Sequence, residues 1–125
     1  MVRYLTSEEV VEAHRLVLEW MGSPPRPLLR PDALDSALSR PAWAAFYQGA
    51  SLVEQAVSLT IGISQSQAFE DGNKRAAFAA IEIFLVANGH VFVGDPPRPG
   101  FRRLVGRKRP GQRSKQLNYK MMKIL

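Results

Sequence analysis

Gln67-Ala68-Phe69-Glu70-Asp71-Gly72-Asn73-Lys74-Arg75 runs without a break into the apolar stretch Ala76 to Val86. An acidic pair, a glycine, an amide and two cations follow one another where one helix-like segment gives way to the next. A loop feeding a helix N-terminus is a natural anion cradle, because unpaired backbone N–H groups and the macrodipole both favour negative charge there. Lys74 and Arg75 would add a point charge and a planar fork for phosphate oxygens. Asp71 is a hard oxygen ligand of the kind that holds Mg²⁺ beside a nucleotide. A plain turn would account for Asp71, Gly72 and Asn73, which tolerate left-handed backbone. It would not account for two cations opening a helix otherwise so poor in charge. Each opposes the dipole at a cost of ~0.3–1 kcal/mol unless an anion sits there.

Working outward, the segments on both sides read as central helices. Ser51 to about Gln65 carries Leu52, Val53, Ala56, Val57, Leu59, Ile61 and Ile63, apolar on nearly every side, which places it in the middle of a bundle. Asn73 to Asn88 is apolar most of the way round and stops at Asn88-Gly89. Thr6-Ser7-Glu8-Glu9 is a capped helix start. Val10, Val11, His14, Val17, Leu18 and Met21 then make one apolar stripe ending near Gly22. His14 lies on that stripe and reads as a packed histidine with one hydrogen bond rather than a catalytic one. The proline-rich stretch Ser23 to Pro31 is a loop. Pro31 opens a short helix, Asp32 to Ser39, which Pro41 should end. Trp43, Phe46 and Tyr47 read as a satellite core under a loop rather than a base-stacking platform. Val91-Phe92-Val93 suits a short strand, and Gly94-Asp95-Pro96-Pro97 a turn. The expected architecture is an all-α helical bundle with an anion-binding loop between its two central helices.

Composition excludes several chemistries. The 125 residues suffice for one domain with a core, and an apolar content of 46% is ordinary. There is no cysteine, so disulfides, thiolate metal sites and a cysteine nucleophile are out; two histidines, His14 and His90, do not make a zinc site. No apolar run approaches the ~20 residues that span a bilayer, and Met1-Val2-Arg3-Tyr4 does not open a signal peptide. A cytoplasmic protein without membrane contact is expected.

The net charge of +6 is unevenly spread. Residues 1–97 carry 7 Lys+Arg against 11 Asp+Glu, whereas residues 98–125 carry 10 Lys+Arg and no acid. The chain therefore divides into a mildly acidic helical domain, 1–97, and a basic tail, 98–125. The tail lacks sustained apolar periodicity, and Met121, Met122, Ile124 and Leu125 form its only apolar cluster. Such a tail reads as partly disordered; as a basic arm it would bind nucleic acid through salt-sensitive phosphate contacts.

Phe69-Glu70-Asp71-Gly72-Asn73-Lys74-Arg75 resembles the core motif of the Fic/Doc family, His-x-Phe-x-Asp/Glu-Gly/Ala-Asn-Lys/Gly-Arg. Lys74, after the Asn, resembles the Doc (death-on-curing) branch rather than the AMP-transferring Fic branch. The opening Tyr4 to Val10, the segment Leu34 to Pro41 and the ending Phe84 to Gly89 are similar to Doc-like proteins too, so the resemblance covers residues 3 to about 95. It implies a small helical toxin of a toxin–antitoxin pair. Such proteins transfer phosphate, or AMP, from ATP or another nucleoside triphosphate with Mg²⁺ to a protein hydroxyl, as on elongation factor Tu. By the resemblance, Asp71 is the metal ligand, and Gly72, Asn73, Lys74 and Arg75 hold the nucleotide phosphates. Phe69 anchors the loop, and Pro24 to Pro41 is the flap that aligns the target. The implied partners are an antitoxin and the target protein. No Ser/Thr-x-x-x-Glu-Gly/Asn segment of the self-inhibiting kind is present, so restraint should come from outside the chain.

Two departures qualify this. Gln67 stands where the family has its catalytic histidine, and an amide cannot take the proton of a hydroxyl, a task for a group near neutral pKa. Catalysis should be impaired, which leaves a non-catalytic nucleotide- or partner-binding module as the alternative. The tail, moreover, does not read as the mixed-charge amphipathic helix with which such chains usually continue.

Overall fold

The computed structural model describes residues 1–93 and the strand 115–118. Among them lie four helices: α1 (Ser7–Trp20), α2 (Pro31–Gln48), α3 (Leu52–Gln65) and α4 (Asn73–Ala87). A two-stranded parallel ribbon pairs β1 (His90–Val93) with β2 (Lys115–Asn118), His90 opposite Lys115. The all-α expectation holds for the body of the chain. β2 falls in the stretch expected to be an irregular tail; the turn at Gly94–Pro97, the Met121–Leu125 cluster and the rest of that tail lie outside the described residues.

The helices form where their ends are chemically marked. Thr6 caps α1 in a capping box: its side chain accepts from Glu9 N–H while the Glu9 carboxylate accepts from Thr6 N–H. Ser51 and Glu54 repeat the device at α3. α3 packs between α2 and α4, and α1 packs on α4. The core joins Val10, Leu34, Ala56, Leu59, Ile63, Phe69, Ile81, Phe84 and Leu85. Fully burying each large apolar side chain stabilises by roughly 1.5–3 kcal/mol. Short links make α2, α3 and α4 successively antiparallel. The α3–α4 junction, the α2 start and the middle of α1 therefore meet at one end of the bundle. The Tyr4, Gln48 and His90 regions meet at the other.

Two expectations fail on α2. The helix does not stop before Pro41 but runs through it to Gln48, where left-handed Gly49 ends it. Proline removes one helix hydrogen bond, yet Pro41 is buried and α2 packs closely on α3 at Gly62, where an added Cβ would lie 3.3 Å from that of Ala37. Packing outweighs the lost bond. Consequently Trp43, Phe46 and Tyr47 sit on the helix face turned away from α3. They are 56%, 81% and 66% exposed, no satellite core at all. They pack on one another instead, Trp43 parallel to Tyr47 at 5.0 Å and Phe46 edge-on to Tyr47 at 4.8 Å.

Candidate active site

The junction is closed by its own side chains. Asn73 Oδ1 accepts from Phe69 N–H and Asn73 Nδ2 donates to Phe69 C=O, both at 3.0 Å, pinching residues 69–73 into a tight loop. Both polar atoms of the Asn73 amide are thereby engaged with the Phe69 backbone, which fixes the side chain inside the loop. Gly72 takes the left-handed conformation (φ 81°) as N-cap of α4 and supplies no side-chain cap. The helix's own bonding begins with Ala76 N–H to Gly72 C=O, 2.9 Å. The N–H groups of Asn73, Lys74 and Arg75 therefore stand outside it. Lys74 and Arg75 are exposed beside them. The ion pairs found among the described residues, Arg3–Glu9, Glu12–Arg15, Arg15–Glu19 and Arg26–Glu70, involve neither cation.

Asp71 is exposed, and its Oδ1 accepts from Gly72 N–H at 2.8 Å. No cluster of three metal-ligating side chains occurs among the described residues. A lone carboxylate fits Mg²⁺ that takes its remaining ligands from phosphates and water, and not an all-protein cage.

Phe69 is 2% exposed and lies in the main core. The His14 ring, reaching in from α1, stacks on it at 3.9 Å with 20° between the planes. His14 Nε2 donates to the Asp71 carbonyl at 2.8 Å; a carbonyl can only accept, so the proton is on Nε2. Burial pushes the His14 imidazole below its ordinary range, partly opposed by the Asp71 carbonyl bond and carboxylate. His14 is thus the packed histidine with one hydrogen bond that the sequence suggests. Its partner was not legible, being 57 positions away.

Gln67, at the motif's histidine position, is exposed and left-handed at φ 55°, a conformation rare outside glycine. His14 is committed beneath the loop, and His90 lies beyond the far end of α4, roughly 22 Å along the helix.

The segment before α2 lies against the loop in a short antiparallel bridge, Leu28 opposite Phe69. Leu29 and Arg30 N–H both donate to Ala68 C=O at 2.7 and 2.9 Å, Glu70 N–H donates to Pro27 C=O at 3.0 Å, and Arg26 reaches Glu70 at 3.3 Å. The region expected as a flap, Pro24 to Pro41, is therefore strand-like only near Pro27–Arg30, because Pro31 onward is helix α2.

The model of the Fic/DOC family matches residues 4–85, which spans α1, α2, α3, the junction and most of α4. The chain belongs to the Fic/DOC family. No curated protein matches the sequence as a relative. Membership in the Fic/DOC family points to a nucleotide-transferase or toxin class of function. Among the described residues no helix is long and apolar enough to cross a membrane.

Proposed function

We propose that the junction is the nucleotide site of a Doc-like toxin, built to transfer phosphate, or AMP, from ATP to a protein hydroxyl such as on elongation factor Tu. One observation carries this reading: an α4 N-terminus with a left-handed glycine cap, N–H groups outside the helix bonding, and two exposed cations without acidic partners among the described residues. Cations there are unfavourable in an empty helix start and favourable around bound phosphate. The Asn73, Lys74 and Arg75 N–H groups would cradle phosphate oxygens where Gly72 turns the chain into α4, with the Lys74 and Arg75 side chains neutralising charge. Asp71 would hold Mg²⁺, which, when bound, offsets the charge developing on the phosphates. The hydroxyl oxygen attacks phosphorus, the bond to the bridging oxygen of the leaving ADP (or of pyrophosphate, for AMP transfer) breaks, and the hydroxyl proton needs an acceptor. Gln67 cannot be that acceptor, so turnover is impaired. The partners are an antitoxin that restrains the protein and the target carrying the hydroxyl, in the cytoplasm.

Gln67 also favours a second reading, a binding module that keeps the pocket without chemistry. The test is transfer of label from ATP to elongation factor Tu by the chain and by Gln67→His, beside titration of both with Mg·ATP. The transferase reading expects binding by both and a rate ~10²–10⁴-fold higher in the histidine variant. Binding without transfer by either would leave the module reading standing, and no binding would sink both.

A further inference from the structure

We infer that His14 is the positioning residue of the junction, setting its backbone from beneath through the Nε2–H bond to the Asp71 carbonyl. The inference rests on the nucleotide reading for its consequence but not for its geometry. Asp71 is joined to Gly72, whose φ of 81° turns the chain into α4. The His14 bond fixes the peptide between these two residues. That peptide directs the Asp71 carboxylate on one side and opens the first turn of α4 on the other. The fit is close, since a Cβ added to Gly72 would meet His14 Nε2 at 3.0 Å and Cδ2 at 3.4 Å. Stacking on Phe69 holds the ring plane, and Phe69 in turn is clasped by Asn73. His14 thus bonds residue 71, stacks on 69 and limits 72, while itself only 2% exposed. So buried a ring offers a ligand almost no surface of its own.

The donor and the ring separate by substitution. His14→Phe keeps an aromatic on Phe69 and loses the N–H. His14→Gln loses the ring and places an amide N–H near the Nε2 position. Titration of the full chain with Mg·ATP should show binding weakened about tenfold or more in His14→Phe, with His14→Gln within about threefold of the parent. Melting temperatures are recorded alongside, so that both are titrated folded. If His14→Phe is not folded, His14→Asn, whose shorter amide cannot reach the Asp71 carbonyl, takes its place. Equal binding by parent and donorless variant, or equal loss in both variants, overturns the inference. A parent that binds no nucleotide defeats the proposed function, and the Gly72 and Asn73 amide resonances then decide on His14. Displacement or broadening in His14→Phe but not in His14→Gln upholds the positioning role; unmoved resonances in His14→Phe overturn it.

Discussion

Gly72 is where single-residue chemistry is most exacting. Its positive φ costs a non-glycine residue roughly 1–2 kcal/mol, and the space above its Cα already belongs to the His14 ring. Gly72→Ala should lower stability by at least that amount in urea unfolding and should weaken Mg·ATP binding as well. A variant as stable as its parent would show that the left-handed cap is not required. The residues of the candidate site divide by how their placement could be read. Asp71, Lys74 and Arg75 were legible because the motif is contiguous and charges at a helix start carry a defined electrostatic sign. The use of the Asn73 side chain inside the loop was not, since an amide beside a helix start serves equally as clasp or ligand until the chain closes. Gln67, where the family motif has its histidine, is exposed and left-handed.

At the scale of elements, α4 is tied at both ends by the same device. Asn73 exchanges two hydrogen bonds with the Phe69 backbone, and Asn88 does so with the Arg3 backbone, accepting from its N–H at 2.8 Å and donating to its C=O at 3.0 Å. The site end and the far end of the helix are thereby fixed to the loop and to the N-terminal strand of chain. α3 is held to α2 by closeness: Gly62 brings Ala37 and the Arg40 stem within 3.2–3.4 Å of a hypothetical Cβ. Gly62→Leu should therefore force the two helices apart, destabilising by about 1–3 kcal/mol, read as an earlier urea midpoint with a native-like helical circular dichroism spectrum before unfolding. An unchanged midpoint would place the α2–α3 contact elsewhere. This same contact explains why the local rule at Pro41 failed and α2 continued.

For the whole molecule, the buried acid on α4 couples folding to pH. Burial pushes the Glu82 carboxyl from an ordinary value of 4.5 up to about 7. Between those values the folded chain keeps a proton that the unfolded chain has lost. The associated stability is complete below about pH 4.5 and is lost as pH rises through about 7. Glu82→Gln removes the ionisation at similar size, so it should exceed the parent in stability at about pH 8, with the difference shrinking towards pH 4. Urea unfolding at both pH values measures this, and a difference independent of pH would rule out the burial of Glu82 as its source. At this scale too the sequence was only partly sufficient. Capped starts, apolar helix faces and a contiguous loop motif determined the helical class, most helix boundaries and the location of the candidate site, because each is encoded within about a helical turn. Only the tertiary structure decided that α2 passes Pro41, that the Trp43–Tyr47 aromatics face outward, that Leu28 bridges to Phe69 and that His14 supports Asp71. Each of these depends on which faces meet across the bundle, and burial and hydrogen bonding between distant segments there override what neighbouring residues prefer.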